Sequence, residues 1–232
     1  MTPPVPPATA WTNTILYNFQ GGADGSGPNG SLVFRNGALF GVTQDLGDTG
    51  RGTAFRLSPP VPPATAWTKT IIHRFAGVSS GTWPLPSNLI FDTAGALYGA
   101  TQRGGTSGNG TVFKLTPSPV WTEWTHATLY SFGGFPDGQF PSSGLVFDSA
   151  GALYGVTAWG GNSGSGFGAV YRLTPPVPPA TTWTESVVYS FKGAPDGMNP
   201  NSSLIFDTSG GIYGTTNSGG LEAKGAAFRL GR

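Results

Sequence analysis

The sequence predicts an all-β chain made of four copies of one antiparallel unit, and three observations carry that prediction. Short runs of Phe, Tyr, Trp, Leu, Val and Ile alternate with polar residues and are separated by clusters of Gly, Pro, Asn and Asp, the pattern of many short strands with tight connections. The runs recur in the same order four times, opening at Trp11, Trp67, Trp124 and Trp183. Helical patterning is nearly absent. Glycine and proline make up 38 and 21 of the 232 residues, a share that on totals alone suggests low complexity. Their regular placement between apolar runs excludes that reading, and a chain of this length can bury roughly 70% of its unfolded surface in a core.

The elements of a unit follow in order. Each opens with a strand, WTNTILYNF, WTKTIIHRF, WTHATLYSF or WTESVVYSF, in which apolar and polar residues alternate. A glycine-rich stretch leads to a second short strand beginning at Leu32, Leu89, Leu145 or Leu204. A tight turn, DTAG from Asp92, DSAG from Asp148, DTSG from Asp207 or the shorter RNG from Arg35, then leads into a third strand. Another glycine loop precedes the fourth strand, TAFRL, TVFKL, AVYRL or AAFRL. A proline-rich connector such as TPPVPPATT follows and ends the pairing, because proline has no N–H to offer a ladder.

Four antiparallel strands per unit, with aromatic and glycine positions repeating once in each, predict a β-propeller of four four-stranded blades. Solenoid coils carry fewer strands per repeat. The whole chain, 1–232, reads as a single repeat domain with units 11–66, 67–123, 124–182 and 183–232. Because the order runs from a Trp strand to a fourth strand at Leu230, the N-terminal strand is expected to complete the terminal blade and close the ring. The alternative is that it completes a neighbouring molecule, giving half of an eight-bladed dimeric ring or a filament. Loops alternate between two faces. The loop after the Trp strand and that between strands two and three are expected to share the glycine-rich face, with short turns and proline connectors on the other.

With 12 Lys and Arg against 11 Asp and Glu, the net charge of +1 leaves no electrostatic footprint for nucleic acid or anionic lipid. No apolar run is long enough for a membrane-spanning helix, so membrane insertion is not expected. The absence of cysteine excludes disulfides and thiolate metal sites.

The stretch LVFDSAGALYGVT, followed by GAVYRLTPPVPPATTWTESVVYSF and PDGMNP, resembles the bacterial GloVer-type tandem-repeat proteins, which occur with varied cell-surface anchors. The resemblance covers nearly the whole chain. It implies serial propeller-like blades and an exported, extracellular or cell-surface bacterial protein, and it implies no particular chemistry. The Met1-Thr2-Pro3-Pro4 start lacks a leader's basic and apolar regions, as expected of a piece of a longer protein.

Any site is placed on the glycine-rich loops. Asp24, Asp137 and Asp196 are equivalent there, with Ser80 in the remaining copy. As oxygen donors they suit Ca²⁺ or a sugar hydroxyl; the competing reading is that Pro-Asp-Gly builds a turn, Asp bonding nearby backbone and Gly supplying positive φ. Neither a metal site nor another cofactor is indicated by ligand spacing. The residue before the loop proline varies as Gly27, Trp83, Phe140 and Asn199, and Trp159 lies in a later loop. Trp83, Phe140 and Trp159 are candidate contacts for a glycan or a protein, against the alternative of packing between blades. Arg56, Lys114, Arg172 and Arg229 recur on the fourth strand as a blade-building cation that lies on the neighbouring Trp or pairs with a turn Asp. His73 stands where other copies have Tyr17, Tyr130 and Tyr189, and neither it nor His126 belongs to a triad. No catalytic residue is assigned. The expected function is a non-enzymatic extracellular scaffold binding carbohydrate or protein through the glycine-rich loops. Two alternatives stand beside it: a self-assembling structural unit, and a hydrolase or lyase using the loop aspartates.

Overall fold

A computed structural model describes residues 11–85, 89–162 and 166–231, which form four antiparallel sheets. The first contains β1 (Ser26–Pro28), β2 (Val33–Arg35), β3 (Ala38–Asp45), β4 (Thr53–Ser58) and β5 (Thr68–Arg74). The second contains β6 (Thr82–Pro84), β7 (Ile90–Phe91), β8 (Leu97–Arg103), β9 (Thr111–Pro117) and β10 (Trp124–Ser131). The third contains β11 (Gly138–Pro141), β12 (Val146–Phe147), β13 (Leu153–Gly160), β14 (Ala169–Thr174) and β15 (Thr184–Ser190). The fourth contains β16 (Gly197–Pro200), β17 (Ile205–Phe206), β18 (Ile212–Gly219) and β19 (Ala226–Leu230). Among the described residues the one helical element is a short 3-10 turn at Gly22–Asp24, and no helix is long and apolar enough to cross a membrane.

Each of the first three sheets straddles two sequence units, and the fourth lies within the last unit. The third strand pairs with the fourth, and the fourth with the Trp strand of the next unit, as in Gly99 opposite Phe113 and His126 opposite Leu115. Two short segments share one edge: β6 pairs with one half of β8 and β7 with the other, because the loop proline and its neighbours interrupt the ladder.

Strand alternation gives every sheet two apolar faces, and successive sheets stack through them. Phe40, Val42 and Ala54 of the first sheet pack on Leu89, Leu97, Phe113 and Leu115 of the second. Tyr98, Ala100 and Val112 of the second pack on Leu145, Leu153, Tyr171 and Leu173 of the third, and Tyr154, Val156 and Val170 on Leu204 and Ile212 of the fourth. At each junction the Phe closing a Trp strand meets the fourth-strand ring of the next sheet edge-on. Phe75–Phe113, Phe132–Tyr171 and Phe191–Phe228 have centroids 5.1, 4.9 and 5.1 Å apart, contacts that contribute about 0.5–1.5 kcal/mol each beyond burial.

Two expectations are corrected. Every strand reverses direction, so the glycine loop after the Trp strand shares its end of the sheets with the glycine loop after the third strand, joined by Gly105 N–H to the Gly77 carbonyl. The Asp92–Gly95 turn between strands two and three lies at the opposite end, with the proline connectors. Nor does the N-terminal strand complete the terminal sheet here. Residues 13–19 carry no ladder pairing, and β19 pairs with β18 alone among the described residues. The proline-rich run 1–10 lies outside the described residues.

Candidate binding site

The loop aspartates are built into the junctions between sheets. Asp137 accepts hydrogen bonds from the Tyr130 hydroxyl at 3.0 Å and from the Gly133 and Gly138 N–H groups at 2.7 and 2.6 Å. Asp196 accepts from the Tyr189 hydroxyl at 2.9 Å and the Lys192 N–H at 3.0 Å, and Asp24 from Tyr17 at 3.1 Å and the Gln20 N–H at 2.8 Å. In the remaining copy Ser80 takes the backbone-accepting part of this role, with the Ala76 N–H donating at 2.7 Å, and His73 stands where the other copies have the tyrosine.

The glycine that follows has the expected positive φ in two copies, Gly25 at 82° and Gly81 at 84°, and ordinary φ at Gly138 and Gly197; a Cβ on Gly138 would lie 2.5 Å from Thr157 Cγ2, so there the residue is small because the loop lies directly on the third strand. Thr43, Thr101 and Thr157 are buried there, and the Thr43 and Thr101 hydroxyls bond Thr53 and Thr111 across the hairpin at 2.7 and 2.9 Å.

Opposite each Tyr and Asp, the next Trp strand supplies a different group. Lys69 forms an ion pair with Asp24 at 2.8 Å, its side chain only 1% exposed and its ammonium 4.6 Å from the Phe19 ring centre. Burial raises the Asp24 carboxyl, but the Lys69 and Gln20 hydrogen bonds outweigh it and hold it below its usual range. Burial also lowers Lys69, more than Asp24 raises it. At the next junction His126 stacks on His73 with centroids 4.3 Å apart, and burial together with the neighbouring imidazole pushes His73 down to about 4. At the third, Glu185 meets the Tyr130–Asp137 pair; burial, then the Asp137 charge, pushes it up to about 7. Among the described residues no three acids or histidines gather as ion ligands.

Trp83 and Phe140 lie on the edge strands β6 and β11, and Trp159 lies opposite Gln139 near the end of β13. Gly27, Trp83, Phe140 and Asn199 all have φ between 53° and 62°, a conformation that strains bulky side chains. It turns the N–H toward the preceding sheet: Trp83 donates to the Arg51 carbonyl at 3.2 Å, Phe140 to Asn109 at 2.8 Å and Asn199 to Phe167 at 2.9 Å. The rings are left at the surface, Trp83 38% and Trp159 50% exposed, with Phe140 half-buried. Between Trp83 and Phe140 lies Arg103, its guanidinium carbon 5.4 and 4.6 Å from the two ring centres.

Arg103 was not legible as a site residue. It ends β8 opposite Thr82, a position held by Asp45, Trp159 and Ser218 in the other sheets, and only the stacking of two sheets sets it between rings from both. The structure thus brings Trp83, Arg103 and Phe140 together, places Trp159 in the third sheet at the position Arg103 holds in the second, and puts the three aspartates in separate junctions. Of the fourth-strand cations, Lys114, Arg172 and Arg229 lie 3.9, 3.7 and 3.8 Å from the turn carboxylates Asp92, Asp148 and Asp207 and over Tyr98, Tyr154 and Tyr213. They build the opposite end of the sheets.

Residues 122–232 match the Gloeobacter/Verrucomicrobia repeat family. The resemblance read from the repeat motifs holds over that segment. No curated protein matches the chain in sequence. Among solved structures, the chain is similar to a protein of unknown function from Dyadobacter fermentans, with a TM-score of 0.51 and 13% identity over 88% of this chain. The match spans 65% of that protein's length. An endo-arabinase from Bacteroides thetaiotaomicron matches with a TM-score of 0.47 and 14% identity, over 87% of this chain and 74% of that one.

Proposed function

We propose that the four sheets are blades of a propeller-like array and that the array is an exported, non-enzymatic scaffold whose inner rim binds carbohydrate. The observation that carries this is the stack of Trp83, Arg103 and Phe140, extended by the exposed Trp159. Aromatic faces take the apolar faces of sugar rings, and a guanidinium held between rings presents fixed donors to hydroxyl groups. Binding over turnover is supported elsewhere in the chain: the loop carboxylates are engaged with tyrosine and backbone donors, and the half-buried histidine pair is held neutral. Export rests on the resemblance to the GloVer-type repeat proteins.

The test is a glycan array with the intact chain, then calorimetry of the best hit with Trp83→Ala, Arg103→Ala and Trp159→Ala. Each substitution is expected to weaken binding at least tenfold, about 1.4 kcal/mol, with thermal unfolding unchanged. Unaltered affinity in all three, or recognition of proteins and no glycan, overturns the reading.

A further inference from the structure

Each end of the array carries half of a junction. In the three internal junctions a Trp strand covers the edge of the preceding fourth strand, yet β19 has no such cover among the described residues. Ala227 is exposed there, whereas its equivalents Ala54, Val112 and Val170 are fully buried. Tyr213 and Thr215, on the outward face of the fourth sheet, likewise lack the cover that Tyr154 and Val156 receive.

At the other end, residues 11–19 already occupy the place of a preceding sheet's outer strand. Phe19 meets Phe55 edge-on at 5.2 Å, matching the three internal Phe contacts, and Tyr17 and Asp24 engage Lys69. Trp11 and Ile15 are nevertheless 58% and 69% exposed, and Leu32 is 50% exposed where Leu89, Leu145 and Leu204 are buried. What one end lacks, the other offers.

We propose that residues 11–19 of one copy add to the free edge of β19 in a second copy, making between copies the junction that the array makes three times within itself. The register follows from the internal pairs. Glu185 opposite Leu173, Ser186 opposite Arg172 and Val187 opposite Tyr171 translate into Asn13 opposite Leu230, Thr14 opposite Arg229 and Ile15 opposite Phe228. The same superposition brings Gly27 N–H to the Lys224 carbonyl, the counterpart of the bond from Trp83 to Arg51. It also seats Pro28 on Gly225. That glycine keeps a φ of +98° like Gly52 and Gly110, on which Pro84 and Pro141 sit, but among the described residues its nearest neighbours are the Thr216 and Asn217 backbone and not a proline. Asn13 then faces the Tyr189–Asp196 pair as Lys69 faces Tyr17–Asp24, and its amide is a donor for that carboxylate. A second copy is the occupant because residues 13–19 of the same chain carry no ladder pairing with β19, whose Ala227 stays exposed.

The chain has no cysteine, so the pairing can be trapped by disulfide. Thr14→Cys and Arg229→Cys single variants are mixed and mildly oxidised at several concentrations, and a Thr14→Cys/Arg229→Cys double variant is treated alongside. The expected result is a mixed-chain disulfide from the two singles, and dimers or longer species from the double variant. Light scattering of the unmodified chain is expected to give a mass above 23.9 kDa that rises with concentration. A double variant that cross-links only within monomers, showing self-closure, overturns the proposal; so does a strictly monomeric chain whose singles do not cross-link. Neither readout involves the rim aromatics, so this proposal and carbohydrate binding can fail separately.

Discussion

Replacing Glu185 with Gln tests the account of the junctions most directly. Glu185 Oε1 is buried without a hydrogen-bond partner, and burial and the Asp137 charge push the carboxyl from 4.5 to about 7. A carboxyl raised in this way contributes stability that is fully present below the unfolded pKa and is lost as pH rises through the folded one. The window runs from about pH 4.5 to 7. At 1.36 kcal/mol per pKa unit the shift corresponds to about 3 kcal/mol, and partial solvent contact reduces this to about 2 kcal/mol. Glutamine keeps the shape and cannot ionise. Urea unfolding of both proteins between pH 4 and 8 should show E185Q matching the parent near pH 4 and exceeding it by about 2 kcal/mol near pH 8. His73, held neutral down to about 4, acts with the opposite sign, its stability falling as pH drops below 6.5, but it is common to both proteins and cancels in the difference. Parallel pH profiles for the two proteins would refute the burial of an ionisable carboxyl at this junction.

Two further substitutions probe the same architecture. Tyr171→Phe removes a fully buried hydroxyl that has no hydrogen-bond partner, at a position where the other sheets have Phe55, Phe113 and Phe228; it should raise stability by about 1 kcal/mol, read as the urea midpoint, and a destabilised variant would show that the hydroxyl is in use. Gly110→Ala should lower stability by about 2 kcal/mol or more, because Gly110 has a φ of +100° and a Cβ there would lie 2.5 Å from Pro141 Cδ; an unchanged thermal midpoint would sink the close approach of the second and third sheets.

Much of the fold was legible because its determinants lie within a few residues of one another. Period-two alternation marked the strands, and Asp148 with Gly151 or Asp207 with Gly210 marked the turns, since the carboxylate accepts N–H groups two and four residues on. The repetition itself showed that each unit contributes the same strands. Trp83 and Trp159 were open to either reading, contact ring or packing between blades, and the structure leaves them 38% and 50% exposed.

Tertiary structure decided the rest, and distance along the chain is the reason. Asp24 and Lys69 are 45 residues apart, and Tyr130 and Glu185 belong to different sheets, so their meeting depends on how closely two stacked faces approach. Composition made the loop aspartates look like ligands; packing made them acceptors for Tyr17, Tyr130 and Tyr189. Arg103 became part of the candidate site because the stacking of two sheets sets its guanidinium near the rings of both Trp83 and Phe140. Closure was the furthest from reach. A strand's sequence specifies which edge it fits, in the register of Glu185 opposite Leu173, but whether that edge lies in its own chain or another is set by the accumulated rotation of every junction between them.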